Sequence, residues 1–336
     1  MKKHVKKIII FVATVVIICA ISIIASAETY GDLEYEIVNG EVTITGVIEE
    51  ASGDIYIPDT IDGYTVTGIG DSAFMFNKNI ENIYFPDTIK YIGHEFFLGT
   101  HIKFHIKDMK KWCEAEYKLE SGAFQWGSSD KFEFYYDGKL IENLVIPYGV
   151  TEIKDYAFWY MHRQLKSVEI PDTVERIGRY AFLSCRNLKS VDIPDSVKYI
   201  GECAFDSTGL KGDIIIPESV DCIGGGAFVA CYDLENVYIL NPECIVDYVD
   251  MDVFSHLATI HSHSGFAVED FATRNNYRFR AMHYINGEWV EANDKVINNS
   301  CEYCKKHQKE NPFDYFLLMI IDMLNTIKRF LESLSI

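Results

Sequence analysis

Apolar residues come in short alternating bursts along this chain, and each burst runs into the same phrase. From Val168 to Phe182 the sequence reads Val168-Glu169-Ile170-Pro171-Asp172, then Val174, then Ile177-Gly178, then Ala181-Phe182. The phrase returns from Val191 to Phe205. Pro171, Pro194 and Pro217 stand 23 residues apart, as do Phe182, Phe205 and Phe228. A period of that size predicts stacked supersecondary units, none of which buries its apolar face alone. The alternation predicts a short strand in each unit, with inward pairs such as Ile55 and Ile57, Ile83 and Phe85, Leu144 and Ile146, or Val237 and Ile239. The proline then ends the strand ladder, because it has no N–H to donate. Gly70, Gly93, Gly178, Gly201 and Gly224 are predicted to form a tight corner or take a positive φ. Phe74, Phe97, Phe158, Phe182, Phe205 and Phe228 are predicted to stack as an aromatic spine.

The pattern also sets the organisation. Residues 28–50 read as an N-terminal cap, with Asn39-Gly40 as a type I′ hairpin signal between two alternating runs. The repeats occupy 51–256. Their period breaks between Pro86 and Pro147, where 101–142 is read as one enlarged repeat ending in a second hairpin signal, Asp137-Gly138. A C-terminal cap is expected over 257–285, with a helix from Gly265 to Asn275, Ser264 as its N-cap, and a short final strand Tyr277–Phe279. Residues 286–312 read as a polar linker. Residues 313–336 read as an amphipathic helix with Phe316, Ile320, Leu324 and Ile327 on one face. At the other end, Lys2, Lys3, Lys6 and Lys7 precede an apolar run from Ile8 to Ile24 and then Ala25-Ser26-Ala27, the pattern of an export signal over 1–27.

Composition narrows the partners. The chain has 31 Lys plus Arg against 50 Asp plus Glu, a net charge of −19, which becomes −23 when the four lysines of 1–27 are removed. Such a charge disfavours nucleic acid and anionic membrane as partners of the main body. The nine cysteines do not form a staple framework. Cys185 and Cys231 share one repeat phase but lie two repeats apart, about 10 Å at strand spacing, beyond the roughly 7 Å a disulfide spans. They are expected as buried small hydrophobes.

Leu165 to Cys185 and Leu188 to Phe205 fit the unit L-x-x-V-x-I-P-x-x-V-x-x-I-G-x-x-A-F-x-x-C, and seven phased prolines carry it from Pro58 to Pro242. This resembles the BspA-like leucine-rich repeat of bacterial surface proteins, over about residues 30–283. The resemblance implies a leucine-rich-repeat solenoid, mainly β with short helical turns, with a parallel sheet on one face, an N-terminal hairpin cap and a C-terminal capping helix. It also implies a secreted or cell-surface protein of a bacterium, acting in adhesion to host, matrix or other cells. It brings no catalytic residues.

Candidate chemistry is sparse. The strand position between the two inward residues points outward, giving Tyr56, Tyr84, Val145, Glu169, Asp192, Ile215 and Tyr238 as a ligand-binding strip for an extracellular protein or glycan. Exposed strand positions also favour aromatic and β-branched residues for their own sake. Asp59, Asp87, Asp172, Asp195 and Glu218 follow the prolines and read as turn chemistry more readily than as calcium ligands. Cys301, Cys304 and His307 have zinc-like spacing but no nearby fourth ligand, and His101 with His105 and His261 with His263 are weaker metal candidates. No metal or other cofactor is expected. No nucleophile elbow, phosphate loop or HExxH motif occurs, so no enzymatic activity is expected. The alternatives are a structural surface spacer, or an enzyme with its site in 101–142. Residues 313–336 are expected to contact a membrane, a partner helix or the end of the solenoid.

Overall fold

The computed structural model describes residues 28–75, 77–93, 102–117, 133–159, 161–247, 252–263, 266–285 and 288–291. The export signal, Phe97, His101, the Cys301–Cys304 segment and the 313–336 helix lie outside the described residues. The chain divides into two compact units, one holding residues up to Lys107 with Glu116–Lys131, the other Asp108–Ala115 with Phe132–Ile336. Both are mainly-β parallel solenoids.

The first unit opens with a hairpin. Leu33–Val38 and Glu41–Val47 pair antiparallel about Asn39 (φ 54°) and Gly40 (φ 80°), the two positive angles that a type I′ turn requires. Glu41–Val47 then becomes a rung of a ladder, pairing parallel with Tyr64–Ile69, which in turn pairs with Tyr91–Ile92. A second parallel ladder joins Gly53–Tyr56, Ile80–Tyr84 and Lys103–Ile106. The last of these corrects the sequence reading. The enlarged repeat has no proline at this point, yet Phe104 stays in register with Ile83.

In the second unit strands form parallel ladders from Asn143–Val145 to Ser167–Glu169, and from Lys211–Ile216 through Asp233–Ile239 and Thr259–His263 to Arg278–Ile285. The intervening segment 191–193 keeps its burial alternation without being a strand. A second ladder runs through Glu152–Ile153, Arg176–Ile177, Tyr199–Ile200, Cys222–Ile223 and Ile245–Val246. The isoleucine before each of Gly178, Gly201 and Gly224 therefore ends a two-residue strand and is fully buried. Among the described residues helix is confined to α1 (Met109–Glu114) and α2 (Ala267–Arg274). Phe266, not Ser264, is the N-cap of α2. The final strand is longer than expected, and Glu288–Glu291 pairs antiparallel with it inside the segment that reads as linker.

The repeat glycines do not take a positive φ. A Cβ on Gly178 would stand 2.5 Å from Asp155 N, one on Gly201 2.5 Å from Arg179 N, and one on Gly224 2.5 Å from Glu202 N. Glycine is required because the preceding coil's backbone occupies that space. The positive angles fall two residues later, at Tyr156 (64°), Tyr180 (58°) and Cys203 (51°), where the chain turns toward the spine. There Phe158, Phe182, Phe205, Phe228 and Phe254 stack at 5.6, 5.2, 5.3 and 5.7 Å, their planes within 15° of parallel, and none is exposed. Burial of each ring contributes about 1.5–3 kcal/mol. The backbone closes the same contact: the N–H of Phe182, Phe205 and Phe228 donates to Ala204, Ala227 and Val253 carbonyls at 2.8 Å. Phe271 of α2 and Tyr277 end the stack edge-on against Phe254.

Two features of the coil follow from this spacing. The hydroxyls of Thr173, Ser196 and Ser219 donate to the carbonyls of Val150, Val174 and Val197 in the preceding coil at 2.7–2.8 Å. This fixes the turn after each proline and explains Thr or Ser beside the acid. Cys113, Cys185, Cys203 and Cys231 are free and buried. Burial pushes Cys113 up to about 12 and Cys231 up to about 11, so they remain thiols. Asp206, also buried, is raised by desolvation to about 6.

Phe205→Ala should destabilise the fold by about 3–5 kcal/mol, and Gly201→Ala by about 3 kcal/mol through backbone overlap, both read by urea denaturation. Asp206 binds its proton more tightly folded than unfolded, so its burial disfavours the fold increasingly as pH rises from about 4 through 6. Asp206→Asn should therefore raise stability at pH 7 by up to about 3 kcal/mol and leave it nearly unchanged at pH 4. Equal gains at both pH values would refute this.

Candidate binding face

The outward strand positions carry two adjacent columns, and the same succession of residues builds them in each unit. In the first unit one column is Asp54, Asn82 and Lys103, and the other is Tyr56, Tyr84 and His105. In the second unit the corresponding columns are Asp213, Asn236, Thr259 and Arg278, beside Ile215, Tyr238, His261 and Arg280. The period-two side-chain rule places both columns on one face of each ladder, two residues apart along every strand.

The aromatic members stack on one another. Tyr56 lies on Tyr84 at 4.3 Å and 7°, and Tyr84 on His105 at 4.1 Å and 14°. Tyr238 lies on His261 at 4.5 Å. Beside each stack runs a hydrogen-bonded chain. Asn82 Nδ2 donates to Asp54 Oδ1 at 2.6 Å, and Asn82 Oδ1 lies 2.9 Å from His105 Nε2. Asn236 does the same between Asp213 (2.7 Å) and His261 (2.9 Å). The carboxylate fixes the amide orientation, and the amide oxygen then requires a proton on Nε2 of the imidazole. Burial lowers the His105 pKa below its usual value, which keeps the ring neutral.

The expected strip therefore falls in two parts. Tyr56 and Tyr84 come together in the first unit. In the second, Val145 stands beside Glu169 and Ile215 beside Tyr238, while Asp192 lies on the segment without strand structure. Tyr56, Val145 and Ile215 are 64%, 56% and 58% exposed, whereas Tyr84 and Tyr238 are half-buried by their stacking partners. His105 and His261 belong to these columns, although their sequence neighbourhood suggested metal ligands. The signal was the spacing: Asp-x-Tyr, Asn-x-Tyr and Lys-x-His in one unit, Asn-x-Tyr and Thr-x-His in the other. Among the described residues no group of three or more His, Cys, Asp or Glu could hold a metal. Asp172, Asp195 and Glu218 are exposed, and Asp87 pairs with Lys107 at 3.3 Å. In the enlarged repeat, Trp112 donates its indole N–H to Ala157 O at 2.9 Å and packs edge-on against Phe134. Those are core contacts.

Residues 55–125 and 128–261 match the family profile described as BspA type leucine rich repeat region, in six copies, covering more than half the chain. No curated protein matches the sequence. Among solved structures, a leucine-rich repeat protein from Bacteroides ovatus is 22% identical over 70% of each chain, with a TM-score of 0.38. A leucine rich cell surface protein from Faecalibacterium prausnitzii is 18% identical over 68% of this chain and 96% of that one, with a TM-score of 0.30. The pneumococcal vaccine antigen PcpA is 14% identical over 76% of this chain and 98% of that one, with a TM-score of 0.35.

Nitrogen-15 NMR should find His105 neutral, protonated on Nε2, and titrating below 6.5. In Asn82→Ala the Nε2–H preference should disappear. A wild-type ring that titrates above 6.5, or protonates on Nδ1, would contradict the hydrogen-bonded chain.

Proposed function

The chain belongs to the BspA-type leucine-rich-repeat family, and on that premise we propose that it is a secreted or cell-surface bacterial protein that binds an extracellular protein or glycan. Binding runs through the outward columns, and we assign the chain no enzymatic activity. One observation supports this above the others: the same pair of columns, an Asp–Asn chain beside stacked aromatic rings, is built in both units. Strand propensity favours tyrosine on an exposed rung. It does not place a hydrogen-bonded Asn beside that tyrosine with His on the next rung, twice. Rings held by stacking and amides held by carboxylates lose little conformational entropy on contact, which suits recognition.

Adhesion to a host, matrix or cell surface is the role this chemistry serves. The full chain, immobilised and probed with extracellular-matrix proteins and cell-wall glycans, should capture a ligand. Tyr56→Ala combined with Tyr84→Ala should weaken that capture by about tenfold or more without changing the unfolding free energy by more than about 1–2 kcal/mol. A spacer without a ligand predicts no capture by the wild-type chain and no effect of these alanines.

A further inference from the structure

The last coils of the second unit hold a groove of about 830 Å³ beside the columns, lined by the first residues of the strands Lys211–Ile216, Asp233–Ile239, Thr259–His263 and Arg278–Ile285. Tyr232 and Leu257 stand at its margin, 70% and 58% exposed. Tyr84 and Tyr238 have ring faces covered by neighbours. Among the described residues no ring stacks on Tyr232, so its faces are available.

The polar groups of the groove are uncommitted. Lys211 and Asp233 oppose each other across the ladder, yet neither makes an ion pair with a described residue. The same holds for Glu235 and Arg278, and the Thr259 hydroxyl has no partner among them. Asn236 spends one amide hydrogen on Asp213 and keeps the other. The groove thus offers two cations, two carboxylates, a hydroxyl and an amide N–H around one aromatic face.

A protein partner gains its affinity from apolar anchors in desolvated pockets, and covering four unpaired charges with such a surface is costly. A sugar ring has the opposite character. Its C–H face lies on an aromatic ring, and its hydroxyls both donate and accept. The balance of two cations and two acids favours a neutral ligand over a charged one. We propose that this groove binds a neutral oligosaccharide, one sugar ring lying on Tyr232 with hydroxyls bonded by Asn236, Thr259 and the flanking charges. The proposal rests on the reading of the chain as an extracellular binder and assigns a ligand class to a site outside the aromatic columns.

The full chain should be screened on an array of neutral oligosaccharides of N-acetylglucosamine, galactose and mannose, and the best binder titrated by calorimetry. Tyr232→Ala should weaken it by about tenfold or more. Tyr232→Phe should retain most of the affinity, Thr259→Val should lose several-fold, and Tyr148→Ala, at an exposed tyrosine outside the groove and the columns, should change nothing. Tyr232 is exposed, so its variants fold. Equal binding by wild type and Tyr232→Ala overturns the proposal. So does the absence of glycan binding, including the case in which residues 313–336 fill the groove. Capture of a matrix protein without any glycan would overturn the groove and leave the extracellular-binder reading standing. A chain that captured neither would overturn both.

Discussion

The structure of each unit depends on how closely one coil approaches the next. Where the Ile-Gly phrase crosses the preceding coil at Gly93, Gly178, Gly201 and Gly224, backbone lies where a Cβ would be, so these positions admit nothing larger. That contact fixes the axial spacing, and the phenylalanines, at 5.2–5.7 Å in the second unit, fit the same spacing from the interior. Hydrogen bonds tie the coils at three further points: the two ladders, the phenylalanine N–H groups, and the hydroxyls after the prolines. Once the spacing is set, residues of equal phase must become neighbours. A column is therefore the natural unit of both packing and recognition in this chain.

The outer face shows the consequence. Rings held one coil apart in register meet nearly face to face, as Tyr56, Tyr84 and His105 do. Such a stack presents ring edges and hydroxyls outward and hides most ring faces. The Asp–Asn–His chains beside the stacks orient their amides by the same logic, each side chain held by the one in the adjacent coil. Off the columns a ring can keep both faces open, and Tyr232 in its groove is such a position. The two surfaces differ in chemistry for this reason: the stacked rings and the Asp–Asn–His chains are self-satisfied and rigid, and the groove is not.

Much of the fold was legible because it is periodic. The alternating pairs, the phenylalanine spine and both Asx-Gly hairpins can be read from residue type and interval alone. Asn39 and Gly40, like Asp137 and Gly138, take the two positive angles such a turn demands. What escaped lacked a local marker. The rungs Lys103–Ile106 and Thr259–His263 have no proline to end them, so the first was absorbed into an enlarged repeat and the second into a histidine cluster. The terminal pairing of Arg278–Ile285 with Glu288–Glu291 surrounds Asn286-Gly287, the hairpin signal already read at Asn39-Gly40, but the polar residues that follow obscured it. The role of the repeat glycines was hidden for another reason. Steric exclusion by a neighbouring coil is a tertiary fact, and the positive φ values sit at Tyr180 and Cys203, residues that give no sign of it.

Each coil is bonded to the next along the spine. Native-state hydrogen exchange on the amides of Phe182, Phe205 and Phe228 tests it directly, since each is assigned one carbonyl acceptor in the following coil. All three should exchange only by global opening, with equal and maximal protection. Exchange of any of them at the rate of an exposed loop amide would contradict it.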